Sequence, residues 1–137
     1  GADSPFYGYL QPIEKPEEQE RNEQALMINQ FAASFLKQNP EIRVIVAGDI
    51  NDDPWSRTVE ALAGKSLINL GKNRTDGPQF SYILDGNAMQ LDYVFTNPVP
   101  GINDRFIVVH LNSLFDYSLQ VSDHDPVMAL INLPDSP

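Results

Sequence analysis

At 137 residues, 42% of them hydrophobic, the chain is long enough for one domain with a core, too short for two, and too apolar to stay disordered. Nine Lys and Arg against nineteen Asp and Glu leave a formal net charge of −10, which excludes a basic phosphate-tracking surface within this chain; action on a phosphate would need a cation to cancel charge. The absence of cysteine excludes disulfides and thiol chemistry and leaves oxygen and imidazole as metal donors, and no apolar run is long enough for a membrane-spanning helix.

Residues 1–16, GADSPFYGYLQPIEKP, hold three prolines, two glycines and three aromatics, and are expected to form an ordered loop or lead-in arm. No secretory leader is visible, and a start on Gly1 instead of Met suggests a processed or cloned piece. Residues 17–38 are predicted to be a helix, with Ala25, Ile28, Phe31, Ala32, Phe35 and Leu36 on one stripe. Pro16 suits its first turn, Glu17, Glu18 and Glu20 complement the N-terminal dipole, and Asn39-Pro40 ends it.

The run RVIVAG, 43–48, reads as a short central strand covered on both faces, because its apolar residues do not alternate with polar ones. Asp53-Pro54 is then expected to cap and start a short helix reaching Ala63 and closed by Gly64. Asn73-Arg74-Thr75 matches a glycosylation sequon, a pattern common by chance. QFSYIL and LDYVFT flank DGN and are expected to pair as a hairpin. RFIVVHL, 105–111, and VMALINL, 127–133, read as strands, with the polar loop SDHDP, 122–126, before the second.

Polar residues gather at strand ends: Asp49 and Asn51, Asp92, Asp123 with His124, and His110 with Asn112. In open α/β sheets that is where ligands bind. Asp49, Asn51, Asp53 and Glu60 match four positions of a calcium-binding EF-hand loop, but Pro54 stands where glycine is needed and the preceding segment reads as a strand, so that reading is set aside. Asp49 lies too early to cap the following helix. A carboxylate at Asp92, inside the apolar LDYVF, is costly to bury unless paired, and orienting His124 would explain it; a solvated strand edge is the other explanation. Asp123-His124-Asp125 flanks an imidazole with carboxylates, which suits a general acid or base and equally fits a surface loop with a chance histidine. His110 reads more simply as a structural residue.

Taken in order, GDIND, LDYVF and SDHDPV resemble the three C-terminal signatures of the endonuclease/exonuclease/phosphatase superfamily, the deoxyribonuclease-I-like proteins. SPFYGYLQP with EEQERNEQALMINQFA looks like the stretch of predicted secreted nucleases that follows their central strand, and VVHLN matches the same subgroup. The resemblance covers nearly the whole chain. It implies an α/β fold: the C-terminal half of a four-layered αββα sandwich, mainly one β-sheet with helices on one face, and a single domain over 1–137. It also implies a location outside the cytosol, secreted or periplasmic.

By the same resemblance the activity is divalent-metal-dependent hydrolysis of phosphodiester bonds, with nucleic acid as the expected substrate and Mg²⁺, Mn²⁺ or Ca²⁺ as the cation. Asp49 would position or deprotonate the attacking water, and Asn51 would bind the phosphate and the water. Asp92 would orient His124, and His124 would steady the pentacovalent phosphate or move a proton. Asp123, with Asp49, would hold the metal. A phosphatase or sphingomyelinase-type phosphoesterase and a non-enzymatic binding or scaffold domain are the alternatives. Family domains run roughly twice this length, so an N-terminal half with further metal ligands is expected to be missing and the piece alone to be inactive. Its uncovered sheet face is expected to favour self-association, a two-fold homodimer being the simplest form.

Overall fold

The structure, a computed structural model, describes residues 8, 9, 11, 15–72, 74, 77 and 79–133. The arm expected over 1–16 lies mostly outside the described residues, as do Asn73 and Thr75 of the sequon. Among the described residues no helix is long and apolar enough to cross a membrane.

Helix α1, Glu18–Gln38, carries Glu18 and Glu20 at its positive end and Lys37 at its negative end. The expected stripe does not bury as one face. Ala25 and Ala32 are buried and Leu36 packs beside them, whereas Ile28, Phe31 and Phe35 are exposed, with the Phe31 and Phe35 rings stacked 6.1 Å apart. At about 100° per residue, Ala25, Ala32 and Leu36 share one line while the other three lie roughly 60–120° round the helix. The buried line is the one made of small residues, which lets α1 approach helix α2, Arg57–Ala63, closely.

The start of α2 differs from the expected one. Ser56, not Asp53, is the N-cap: its hydroxyl accepts the Val59 N–H at 3.2 Å, while the Asp53 carbonyl accepts the Ser56 N–H at 2.9 Å in the turn before it. The far end is closed by Gly64 as expected, with φ +50°. Asn29 of α1 donates to the Leu62 and Ala63 carbonyls at 2.8 and 3.0 Å, satisfying acceptors that a helix end leaves open. A Cβ at position 64 would come within 2.7 Å of that same amide, so contact and backbone both require glycine.

Strand β1, Ile45–Asp49, pairs antiparallel with β5, Asp92–Thr96, and β2, Ile68–Asn69, pairs with the other edge of β5. This corrects two expectations. LDYVFT does not pair with QFSYIL; that segment's strand β3, Tyr82–Leu84, turns through Asp85-Gly86 into β4, Asn87–Met89. Both turn residues have positive φ, 49° and 79°, the backbone of a tight two-residue hairpin, which leaves only the residues immediately after it to pair. Nor is β1 covered on both faces: Val46 packs on the helix side, while Ile45 and Ala47 are exposed. Its apolar run includes a face that none of the described residues covers.

The core lies between the helices and the three-stranded sheet: Ala25, Ala32, Val59, Leu62, Leu67, Tyr93 and Phe95. Strands β6, Arg105–Val108, and β7, Val127–Leu130, form the third ladder. Two contacts stitch this ladder to the β3–β4 hairpin, Asp125 N–H to Ser81 O at 2.7 Å and a bridge between Tyr82 and His124, while Val109 N–H to Pro126 O at 2.9 Å carries the β6–β7 pairing one step further. Arg43, paired with the Asp104 carboxylate and donating to Thr96 Oγ1 at 3.0 Å, ties the β6 approach to the central sheet.

Candidate active site

The antiparallel register sets Asp49 directly opposite Asp92. Like charges across a ladder repel, so a cation or imidazolium beside them is favoured. His124 meets this need: its Nδ1 lies 2.7 Å from Asp92 Oδ2. Burial by itself would lower the His124 pKa, but the hydrogen bond and charge of Asp92, then the charges of Asp49 and Asp123, outweigh it and raise the value. With Nδ1–H facing the carboxylate, Nε2 is the ring nitrogen that Asp92 does not engage. The ring lies tilted against Tyr82, with centroids 4.7 Å apart. Burial and then the charge of Asp123 push the Tyr82 phenol upward.

At the end of β1 the chain makes a polar turn. Asn51 takes a left-handed conformation, φ 54°, which asparagine tolerates well. Its N–H donates to Asp49 Oδ1 at 2.9 Å and its Nδ2 to Oδ2 at 3.2 Å, so both carboxylate oxygens are steadied by one neighbour. Ile50 N–H donates to Leu91 O at 2.8 Å and carries the ladder one step beyond Asp49. Asp49, Asn51, Asp92 and His124 therefore meet around the paired ends of β1 and β5, with the exposed Asp123 adjoining.

The histidine of SDHDP is paired with neither of its flanking acids. Asp125 turns inward, its side chain fully buried, and accepts from the Asn112 and Ser113 N–H groups at 2.7 and 3.0 Å, from the Ser113 hydroxyl and from His110 Nδ1 at 2.8 Å. Burial alone would raise its pKa, but the Ser113, His110 and Asn112 hydrogen bonds together bring it down to about 2. His110 stacks on Phe80 with centroids 4.4 Å apart and serves this second pair, outside the Asp92–His124 pair. Asn112 does reach the site: its Nδ2 donates to the His124 carbonyl at 2.6 Å.

Two supporting residues are invisible in the linear pattern. Asp52 is buried beneath the turn, accepting from Lys15 Nζ at 3.2 Å, Thr58 Oγ1 at 2.7 Å and the Asp53 N–H at 3.0 Å, with Arg21 at 3.7 Å. The Tyr93 hydroxyl lies 2.8 Å from the Asp52 carbonyl and 2.7 Å from that of Gln90, fixing the turn to the core. Lys15 and Arg21 stand more than 30 residues before Asp52, so no local signal could have announced the cluster.

Among the described residues no three His, Asp or Glu side chains converge to hold a metal. Asp49 and Asp123 are the hard oxygen donors that Mg²⁺ takes, and Mg²⁺ is commonly held by one or two carboxylates with several waters; the donor chemistry fits a partial site. The EF-hand assembly is absent, since Glu60 lies exposed on α2.

None of the curated proteins matches the sequence at a significant level. Solved structures do. An endonuclease/exonuclease/phosphatase from Bacteroides vulgatus superposes with a TM-score of 0.62 at 17% identity, over 85% of this chain and 45% of its own. Truncated Caenorhabditis elegans TDP2 gives 0.64 at 16%, over 85% and 48%. A Bacteroides thetaiotaomicron family protein gives 0.54 at 21%, over 80% and 43%. The chain thus spans just under half the length of the structures it resembles, and has the α/β fold of their deoxyribonuclease-I-like class. The model of the Endonuclease/Exonuclease/phosphatase family matches residues 3–124, which takes in GDIND, LDYVF and SDHDPV as far as His124, and most of the chain. On that match and the shared fold, the chain belongs to the endonuclease/exonuclease/phosphatase family.

Proposed function

We propose that this chain is the C-terminal half of a divalent-metal-dependent phosphodiesterase acting on nucleic acid, and that it does not turn over substrate alone. The observation supporting this most directly is the meeting of the Asp92–His124 pair with the Asp49–Asn51 turn. In this reading Asp49, held by Asn51, orients the attacking water and takes its proton. Asn51 donates to a phosphate oxygen. His124, its tautomer set by Asp92, directs Nε2 at the charge that develops on the phosphorane or at the leaving oxygen. Phosphoryl transfer depends on such positioning and charge stabilisation more than on covalent help. Asp49 and Asp123 would hold Mg²⁺, with Mn²⁺ or Ca²⁺ as substitutes, and the ion would supply the charge neutralisation that an acidic chain lacks. Resemblance to secreted nucleases supports an extracellular or periplasmic location as part of the same reading.

The test uses a chain carrying both halves, with Mg²⁺, on supercoiled plasmid DNA and on bis-p-nitrophenyl phosphate. EDTA removes activity and added Mg²⁺ restores it; Asn51→Ala abolishes it. The net charge of −10 favours, as a second reading, a smaller phosphoester substrate of the phosphatase or sphingomyelinase type. Cleavage of the small diester with no nicking of plasmid selects it, and no turnover of either sinks both.

The exposed Ile45, Ile68, Ile107, Met128 and Leu130 side chains support a companion proposal, that the 137-residue chain by itself pairs with a second copy through its bare strands. Light scattering after size exclusion is expected to give twice the chain mass at high concentration. A monomer there refutes the pairing.

A further inference from the structure

We propose that Ser81, through its hydroxyl and its carbonyl, is the positioning residue that sets the spacing between Asp92 and His124. The proposal rests on the reading of that pair as the phosphate-facing machinery, and adds a residue that touches neither substrate nor metal in it.

The geometry is particular. Ser81 is fully buried beside the start of β3. Its Oγ accepts two backbone N–H groups, those of Leu91 and Asp92, each at 3.1 Å. Its carbonyl accepts the N–H of Asp125, the residue after His124, at 2.7 Å. Its own N–H donates to Met89 O at 2.9 Å, which locks it into the β3–β4 hairpin. One residue therefore holds the backbone of Asp92 from its side chain and the backbone next to His124 from its main chain. The next residue, Tyr82, bridges to His124 and lies against its ring.

Asp92 and His124 come from different ladders, β5 and the loop before β7, which share no regular pairing. A hydrogen bond of 2.7 Å tolerates only a few tenths of an ångström of drift, so the ladders need a common fixed point. Ser81 is that point. Alanine would leave two N–H groups beneath the site without their acceptor, and those groups would seek others by moving the strand end. Threonine keeps the hydroxyl.

The test reads the pair itself and not turnover, so it is decided separately from whether the protein hydrolyses anything. Imidazole ¹⁵N shifts of the labelled 137-residue chain are recorded above the titration range of His124. The unaltered chain is expected to hold His124 as the Nδ1–H tautomer. Ser81→Ala is expected to shift it towards the Nε2–H form preferred by free imidazole, with His110 unchanged, and Ser81→Thr to restore it. A folded Ser81→Ala chain that keeps the Nδ1–H tautomer overturns the proposal. Should Ser81→Ala not fold, hydrogen exchange in the unaltered chain decides: the Leu91, Asp92 and Asp125 amides must exchange slowly and to a similar degree. An Asp92 amide exchanging as fast as an exposed one overturns it.

Discussion

In a chain carrying both halves, His124→Ala is expected to lower kcat on bis-p-nitrophenyl phosphate by about 10²–10⁴-fold, with little change in KM. The split follows from position. His124 is held to Asp92 at 2.7 Å, with its ring flanked by Tyr82 and its elevated pKa keeping it more protonated near neutral pH than an ordinary imidazole. A group poised in this way acts on charge that appears only in the transition state, so its loss falls on kcat. Asp92→Asn tests the pairing in particular. The amide can present its N–H to the ring and select the wrong tautomer, and a loss in the same range is expected. Steady-state kinetics at saturating Mg²⁺ measure both. A His124→Ala enzyme retaining more than about a tenth of the activity would remove His124 from the chemistry.

The second large effect concerns stability. Asp125→Ala is expected to destabilise the chain by about 3–5 kcal/mol, measured by urea unfolding at fixed chain concentration. The carboxylate is buried and accepts from two backbone N–H groups, the Ser113 hydroxyl and His110. Truncation strands all four donors in a dry place. The neighbouring Asp123 is exposed, and Asp123→Ala should stay within about 0.5 kcal/mol of the unaltered chain. The same carboxylate has a pH signature. Its folded pKa lies near 2, below the ordinary 3.8, so its contribution is complete above pH 3.8 and is lost as pH falls through about 2. On the order of 2 kcal/mol should disappear across that window in EDTA, and Asp125→Ala should flatten it. An Asp125→Ala chain as stable as the Asp123→Ala control would show that the buried network does not hold the loop.

Much of the site was legible because its residues announce themselves locally. A strand running into Asp49-Ile50-Asn51, a carboxylate inside an apolar strand at Asp92, and a histidine in a polar loop at His124 are each anomalous against their surroundings. The partnerships were less legible. Asp92, 32 residues away, pairs with His124 as its costly place inside an apolar strand suggested, but nothing in SDHDP showed that Asp125 turns away from His124 to serve His110. Neighbours in an extended segment point to opposite sides, so adjacency in sequence argues against contact there as often as for it. Ser81 and Asp52 could not be singled out, since their importance lies in backbone groups and charges they meet 10 to 37 residues away.

The fold divides in the same way. Helix and strand types, the Gly64 stop and the tight Asp85-Gly86 turn were determined by the sequence alone, because periodicity and positive-φ residues act within a few positions. Tertiary structure alone decided that β5 joins β1 instead of the hairpin, that Ala25 and Ala32 are buried while Phe31 is exposed, and that one face of β1 stays bare. Those outcomes depend on which distant surfaces compete for the same apolar side chain. Burial is a property of the whole packed assembly, and no short window of residues contains it.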